Sequence, residues 1–184
     1  MVRIRAVMSV LLLCVLVLGL GALSMVAQVW WSLPEPQGRL VRGPNELVGV
    51  FSGRSYGWVV PTDDPKGVVL VDAGGQRAAS RILAELRKGE REVRAILLTH
   101  AHSYTTLGLE AFVDVPVYLA AEEGPLLAGE VTPIGWLARI YAPSAAPPSD
   151  LRLVQDGEVV TIDGAKFVAI ATPGHTAGST TWWW

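Results

Sequence analysis

The chain has 184 residues, enough for one domain with a sizeable core, and 51% of them are hydrophobic. Its 15 basic and 17 acidic side chains leave a net charge of −2, a balance that does not point to nucleic acid as a partner. The one cysteine, Cys14, excludes an internal disulfide and a thiolate metal site.

Arg3 and Arg5 precede a run from Ala6 to Trp31 that carries no charge. A bilayer is crossed by about 20 apolar residues, so this run is long enough for an anchor. Paired Trp30 and Trp31 at its end suit a membrane interface. The other reading is a cleaved secretory signal, because Ala22-Leu23-Ser24 offers a small-x-small site. Arg3 and Arg5 favour a cytoplasmic N-terminus. The expectation is a membrane-bound protein with its domain outside the cytoplasm, or a secreted or periplasmic one after cleavage. Three segments follow: an anchor or signal at 1–32, a Pro-rich linker at 33–45 and a folded domain at 46–184.

Within the domain, Glu46 to Phe51 and Tyr56 to Val60 read as strands of a hairpin, and Thr62 to Gly67 as a turn. Val68 to Val71 is an apolar run suited to a strand buried on both faces. Gln76 to Lys88 has helical spacing, with Ala79, Ile82, Leu83 and Leu86 on one side and Gly89 as its stop. The charged run from Arg87 to Arg94 reads as a solvated helix end and loop. Val93 to Leu98 is the next buried strand, Leu107 to Phe112 a helix, and Val115 to Leu119 another strand. Ala120 to Leu127 reads as helical, with Glu122 and Glu123 exposed. Gly129 to Asp150, with four prolines, is a long loop of the kind that often carries function. Val159 to Ile162 and Phe167 to Ala171 form a hairpin around Asp163-Gly164. Thr180 to Trp184 begins one more strand, its Trp run serving no evident function.

The chain has three histidines. His100 and His102 stand i, i+2 in Thr99-His100-Ala101-His102, directly after an apolar run. His175 stands in Pro173-Gly174-His175-Thr176, after another. Strand-end loops are where α/β sheets place ligand-binding residues. Three imidazoles gathered there would make a tripodal zinc site with one open position.

These motifs resemble the metallo-β-lactamase fold family. That family reads His-x-His-x-Asp-His after a strand, then Pro-Gly-His-Thr-x-Gly, and earlier a strand ending in Asp-x-Gly. Here the last is Val69-Leu70-Val71-Asp72-Ala73-Gly74, and the resemblance runs from about Glu46 to Ser179. It implies an α/β fold, the family's four-layer αββα sandwich of two similar halves. This chain holds the first half and the start of the second, with the family's remaining metal ligands falling beyond residue 184. It also implies that His100, His102 and His175 bind one zinc per chain. The second-metal ligands are replaced by Tyr104 and Thr105. Asp72 is expected to orient the metal loop by hydrogen bonds, with Thr99 and Thr176 as supporting neighbours of the ligands. Tyr104 either hydrogen-bonds a zinc-bound water or fills the space of the missing metal. Two functions stay open. One is an anchored or exported zinc hydrolase whose metal-bound hydroxide attacks the carbonyl, ester, thioester or phosphodiester of a small-molecule substrate. The other is a catalytically impaired or incomplete member that acts as a structural or binding module.

Overall fold

A computed structural model describes residues 17–25, 39–44, 46–52, 55–131 and 147–184. Two units divide it, Met1–Glu35 and Pro36–Trp184. Within the first, residues 17–25 are helical and exposed. Most of the run from Ala6 to Trp31 lies outside the described residues. Among those described, no helix is long and apolar enough to cross a membrane.

The second unit contains two sheets. Seven strands, β1 (Arg39–Arg42), β2 (Val48–Ser52), β3 (Ser55–Pro61), β4 (Gly67–Val71), β5 (Glu92–Leu97), β6 (Val117–Ala120) and β7 (Leu151–Val154), lie side by side in chain order. The pairs from β1 to β4 are antiparallel, and those from β4 to β7 are parallel. The switch falls where helix α1 (Gln76–Lys88) supplies the crossover between β4 and β5. A second sheet holds β8 (Val159–Ile162), β9 (Ala165–Ala171) and β10 (Thr180–Trp183), antiparallel in the order β10-β9-β8.

Alternation along the central strands makes two cores. Val68 and Leu70 of β4, with Ile96 of β5, pack toward Ile82 and Leu86 of α1. Val69, Val71, Ala95 and Leu97 point the other way, onto Val160, Ile162, Phe167 and Trp182 of the second sheet. Each Val, Leu, Ile or Phe among them is worth about 1.5–3 kcal/mol when fully buried, so both faces of β4 and β5 drive folding. The layers are therefore helix, sheet and sheet, a mixed α/β sandwich. The outer face of the second sheet carries exposed Val159, Ile170 and Trp183. Asp163 and Gly164 make the hairpin turn with φ of +45° and +86°, the conformation that Asp-Gly favours.

Several expectations need correction. Arg39–Arg42 is not linker but the edge strand β1, and Leu151–Val154 is a strand where none was expected. Both are short edge strands with weak alternation, held by backbone pairing to a neighbour. The helix expected at Leu107 to Phe112 is instead a helical turn, α2 (Ser103–Thr106), followed by a 3-10 turn at Leu109–Ala111. Glu123 is not exposed: it is 1% accessible, in a 3-10 turn ahead of the short helix α3 (Gly124–Leu127). Arg94 does not simply extend into solvent but pairs with Asp64, Glu92 and Asp163. The Trp run is divided, with Trp182 in the inter-sheet core and Trp183 and Trp184 exposed. Residues 132–146 of the expected long loop lie outside the described residues.

Candidate metal centre

Two loops meet at the C-terminal end of β5. The first leaves Leu98 and Thr99 and carries His100 and His102 into α2. The second runs from the end of β9 to the start of β10 and carries His175. Their approach is fixed by one backbone and one side-chain hydrogen bond from β10: Thr180 N–H donates to Thr99 O at 2.8 Å, and the Trp182 indole donates to Leu98 O at 3.0 Å.

The three histidines offer ligand atoms that all lie within 4.8 Å of one another. His102 Nδ1 and His175 Nε2 are 3.0 Å apart. His100 and His102 are buried, while His175 is exposed. Burial, reinforced by the neighbouring His102 and His175, pushes the His100 pKa down to about 4. Burial and His175 also lower that of His102, against a smaller upward pull from Glu123. Both rings are thus kept neutral near neutral pH, the form a metal requires.

Behind His100 stands a relay. Asp72 is fully buried and accepts hydrogen bonds from Thr99 N–H (2.8 Å) and from the Thr99 hydroxyl (2.9 Å). The same hydroxyl oxygen lies 2.9 Å from His100 Nδ1. With its proton given to Asp72, that oxygen accepts Nδ1–H, which leaves the Nε2 lone pair facing the site. Asp72 sits at φ +62°, a left-handed conformation that Asp tolerates better than most side chains. Burial raises its pKa to about 7, outweighing the Thr99 hydrogen bonds.

The other expected residues are placed differently from one another. The buried Thr105 hydroxyl shares its one proton within the loop, between the carbonyls of His100 (2.9 Å) and His102 (2.7 Å). It faces backbone, not the cluster of imidazole nitrogens. The Thr176 hydroxyl is 2.8 Å from Ser179 Oγ and bonds its own loop, not a histidine. Tyr104 points inward, with its hydroxyl 2.8 Å from His100 Nε2, 2.6 Å from His175 Nε2 and 3.3 Å from His102 Nδ1.

Glu123 joins the site without warning from the sequence. Its Oε2 accepts from Ala101 N–H at 2.8 Å and its Oε1 from Gly178 N–H at 2.9 Å. One carboxylate thus ties the loop of His100 and His102 to the loop of His175. Gly178 permits this, since a Cβ there would stand 2.7 Å from Glu123 Cγ.

A groove of about 240 Å³ lies beside the His175 loop, lined by Ala120, Glu122, Ala171, Pro173 and Thr180 among others. A larger one of about 680 Å³ lies near Arg91, at the start of β5 rather than its end, and contains no histidine. The donor chemistry, three clustered imidazoles, suits zinc or another borderline divalent ion.

Fold and site together define a mixed α/β sandwich with a histidine triad at its strand ends that could hold a metal ion. The chain belongs to the metallo-β-lactamase superfamily, whose profile matches residues 51–184. It is 31% identical over 128 residues to a hydroxyacylglutathione hydrolase of Yersinia pestis, covering 67% of this chain and 41% of that protein. A hydroxyacylglutathione hydrolase of Cronobacter sakazakii is 33% identical over the same length and coverage. The chain therefore spans about two fifths of the length of the curated relatives it matches. Among solved structures, a Y228A mutant of the FEZ-1 metallo-β-lactamase from Legionella gormanii superposes with a TM-score of 0.66 at 23% identity, covering 83% of this chain and 59% of that one. A metallo-β-lactamase of Cronobacter sakazakii gives 0.63 at 26% identity, covering 80% and 59%.

Proposed function

We propose that the chain is the metal-binding part of a hydrolase that holds one zinc on His100, His102 and His175 and acts on the acyl group of a small molecule. The observation that carries this reading is the convergence of three imidazoles from two loops tied together by Glu123. The name of the curated relatives supports an acylated thiol as the first substrate to test. One zinc rather than two is supported by Thr105, whose hydroxyl is directed at backbone carbonyls.

A zinc ion supplies Lewis-acid polarisation of a carbonyl and acidifies water. The chain's own residues do the positioning. Asp72 and Thr99 hold the His100 ring with Nε2 inward, and Glu123 fixes the spacing of the two loops. A second reading, a member that holds metal without turnover, is favoured by Tyr104, whose hydroxyl lies among the three ligand nitrogens.

Metal analysis of the full chain after zinc loading should give one zinc, with hydrolysis of an S-acyl glutathione or an aryl ester. Two zinc ions per chain, or none in folded protein, would overturn the metal assignment. One zinc with no hydrolysis of either ester class would support the second reading.

We also propose that the run from Ala6 to Trp31 anchors the protein with its domain outside the cytoplasm. Full-length chain should stay in the membrane pellet after alkaline carbonate. Recovery of a soluble form beginning near Met25 or Gln28 would show a cleaved signal instead.

A further inference from the structure

Tyr104 occupies the family's second-metal Asp position, but its hydroxyl reaches toward the first metal's ligands. The helical turn α2 starts directly after His102, so Tyr104 lies one turn from His100 and beside His102. Its Oη stands 2.8 Å from His100 Nε2, 2.6 Å from His175 Nε2 and 3.3 Å from His102 Nδ1. His102 Nδ1 and His175 Nε2 stand 3.0 Å apart. A tetrahedral zinc with ligands about 2.0–2.1 Å from its centre has vertices about 3.3 Å from each other. Two of these distances, 3.0 and 3.3 Å, are near the edges of such a tetrahedron, and the two shorter ones, 2.6 and 2.8 Å, would lengthen as an ion entered. The phenol oxygen lies near all three ligand nitrogens, as the fourth ligand of a bound ion must.

We propose that Tyr104 supplies the fourth ligand, as phenolate, giving a His₃Tyr site closed by the protein itself. The proposal rests on the histidine triad holding a metal, as argued above. In the binding step the phenol O–H bond breaks, its proton passes to solvent, and an Oη–metal bond forms in place of a metal–water bond; no electrons are transferred. Two physical arguments favour it. Three neutral imidazoles leave a divalent cation with its full charge in a partly buried site, where an anionic ligand is worth most. Tyr104 is also tethered there, so it competes with water as an intramolecular partner. Substrate would then reach the metal only by displacing Tyr104, which makes this residue a gate on turnover.

The test is to load the full chain with one equivalent of cupric ion. The expected spectrum has a visible phenolate-to-copper charge-transfer band and tyrosinate ring modes in resonance Raman. Tyr104→Phe removes only a hydroxyl; it should still bind one copper per chain, with the band and ring modes lost. Zinc-loaded Tyr104→Phe should hydrolyse an aryl ester faster than the parent chain. One copper bound with a histidine-only spectrum, the same in the parent chain and in Tyr104→Phe, overturns the phenolate ligand and leaves the histidine triad standing. No copper bound to folded chain overturns both.

Discussion

Replacing Glu123 removes the tie between the two histidine loops. Its carboxylate is the acceptor for Ala101 N–H and Gly178 N–H, in a place where the side chain is 1% exposed. A buried donor left unsatisfied costs about 1–3 kcal/mol. Glu123→Ala leaves two such donors, so it should lose about 2–6 kcal/mol, a large part of a typical 5–15 kcal/mol stability. Glu123→Gln keeps one oxygen for one donor and sets an NH₂ against the other, so it should lose roughly half as much. Urea unfolding of the metal-free chain measures both, and zinc titration of the folded variants measures the second effect. Because the tie joins the loops of different ligands, zinc affinity should fall in the same order, about 10- to 100-fold as for other partners of metal ligands. A loss below about 1 kcal/mol for Glu123→Ala would refute the two-donor reasoning. Lost stability with unchanged zinc affinity would show that Glu123 supports the fold without positioning the ligands.

Substitution of His100, His102 or His175 by Ala should each abolish zinc binding, measured by dialysis and metal analysis; a single variant that keeps a full equivalent would remove that histidine from the set. The metal-free chain should show opposed pH slopes. Asp72, with its pKa raised from 3.8 to about 7, contributes stability that is full below its unfolded value and lost as pH rises through about 7. His100, lowered from 6.5 to about 4, contributes stability that is full above 6.5 and lost as pH falls through about 4, and His102 acts in the same direction. Asp72→Asn, which tolerates the left-handed backbone, removes the opposing slope, so its melting temperature should fall more steeply than the parent's between about pH 6.5 and 4. Parallel curves for the two proteins would contradict the raised Asp72 pKa. Trp182→Phe deletes the indole bond to Leu98 O at a cost of about 1 kcal/mol, read as a melting temperature lower by about 2–4 °C. An unchanged melting temperature would show that the bond adds nothing.

The legible parts of this chain were those written in side-chain type and period. The buried strands at Val68–Val71 and Val93–Leu98, the helix at Gln76–Lys88 and the Asp163-Gly164 hairpin follow from apolar runs, helical spacing and turn chemistry. The His triad was readable because imidazoles are scarce here and stand in recognisable motifs. The short edge strands at Arg39–Arg42 and Leu151–Val154 were not, because a neighbour's backbone holds them and backbone looks alike in every sequence. Glu123 was missed for the same reason, its partners being amide hydrogens 22 and 55 residues away. Tyr104 was identified as a replacement, but its direction depends on where α2 begins, which no residue pattern announces.

The missing side chain at Gly178 bears on how much error the metal centre tolerates. Metal–ligand bonds must fall within about 0.2 Å of their preferred lengths. A methyl group placed 2.7 Å from Glu123 Cγ would force the His175 loop and the Glu123 side chain apart by about 0.7 Å or more to reach the 3.4–4 Å of ordinary contact. The lever is one carbon atom, three residues from the ligand, yet its throw exceeds the tolerance of the bond it moves. Metal affinity at the proposed site would therefore be a matter of loop seating as well as ligand identity, and a screen for histidines alone would pass variants that no longer close the site.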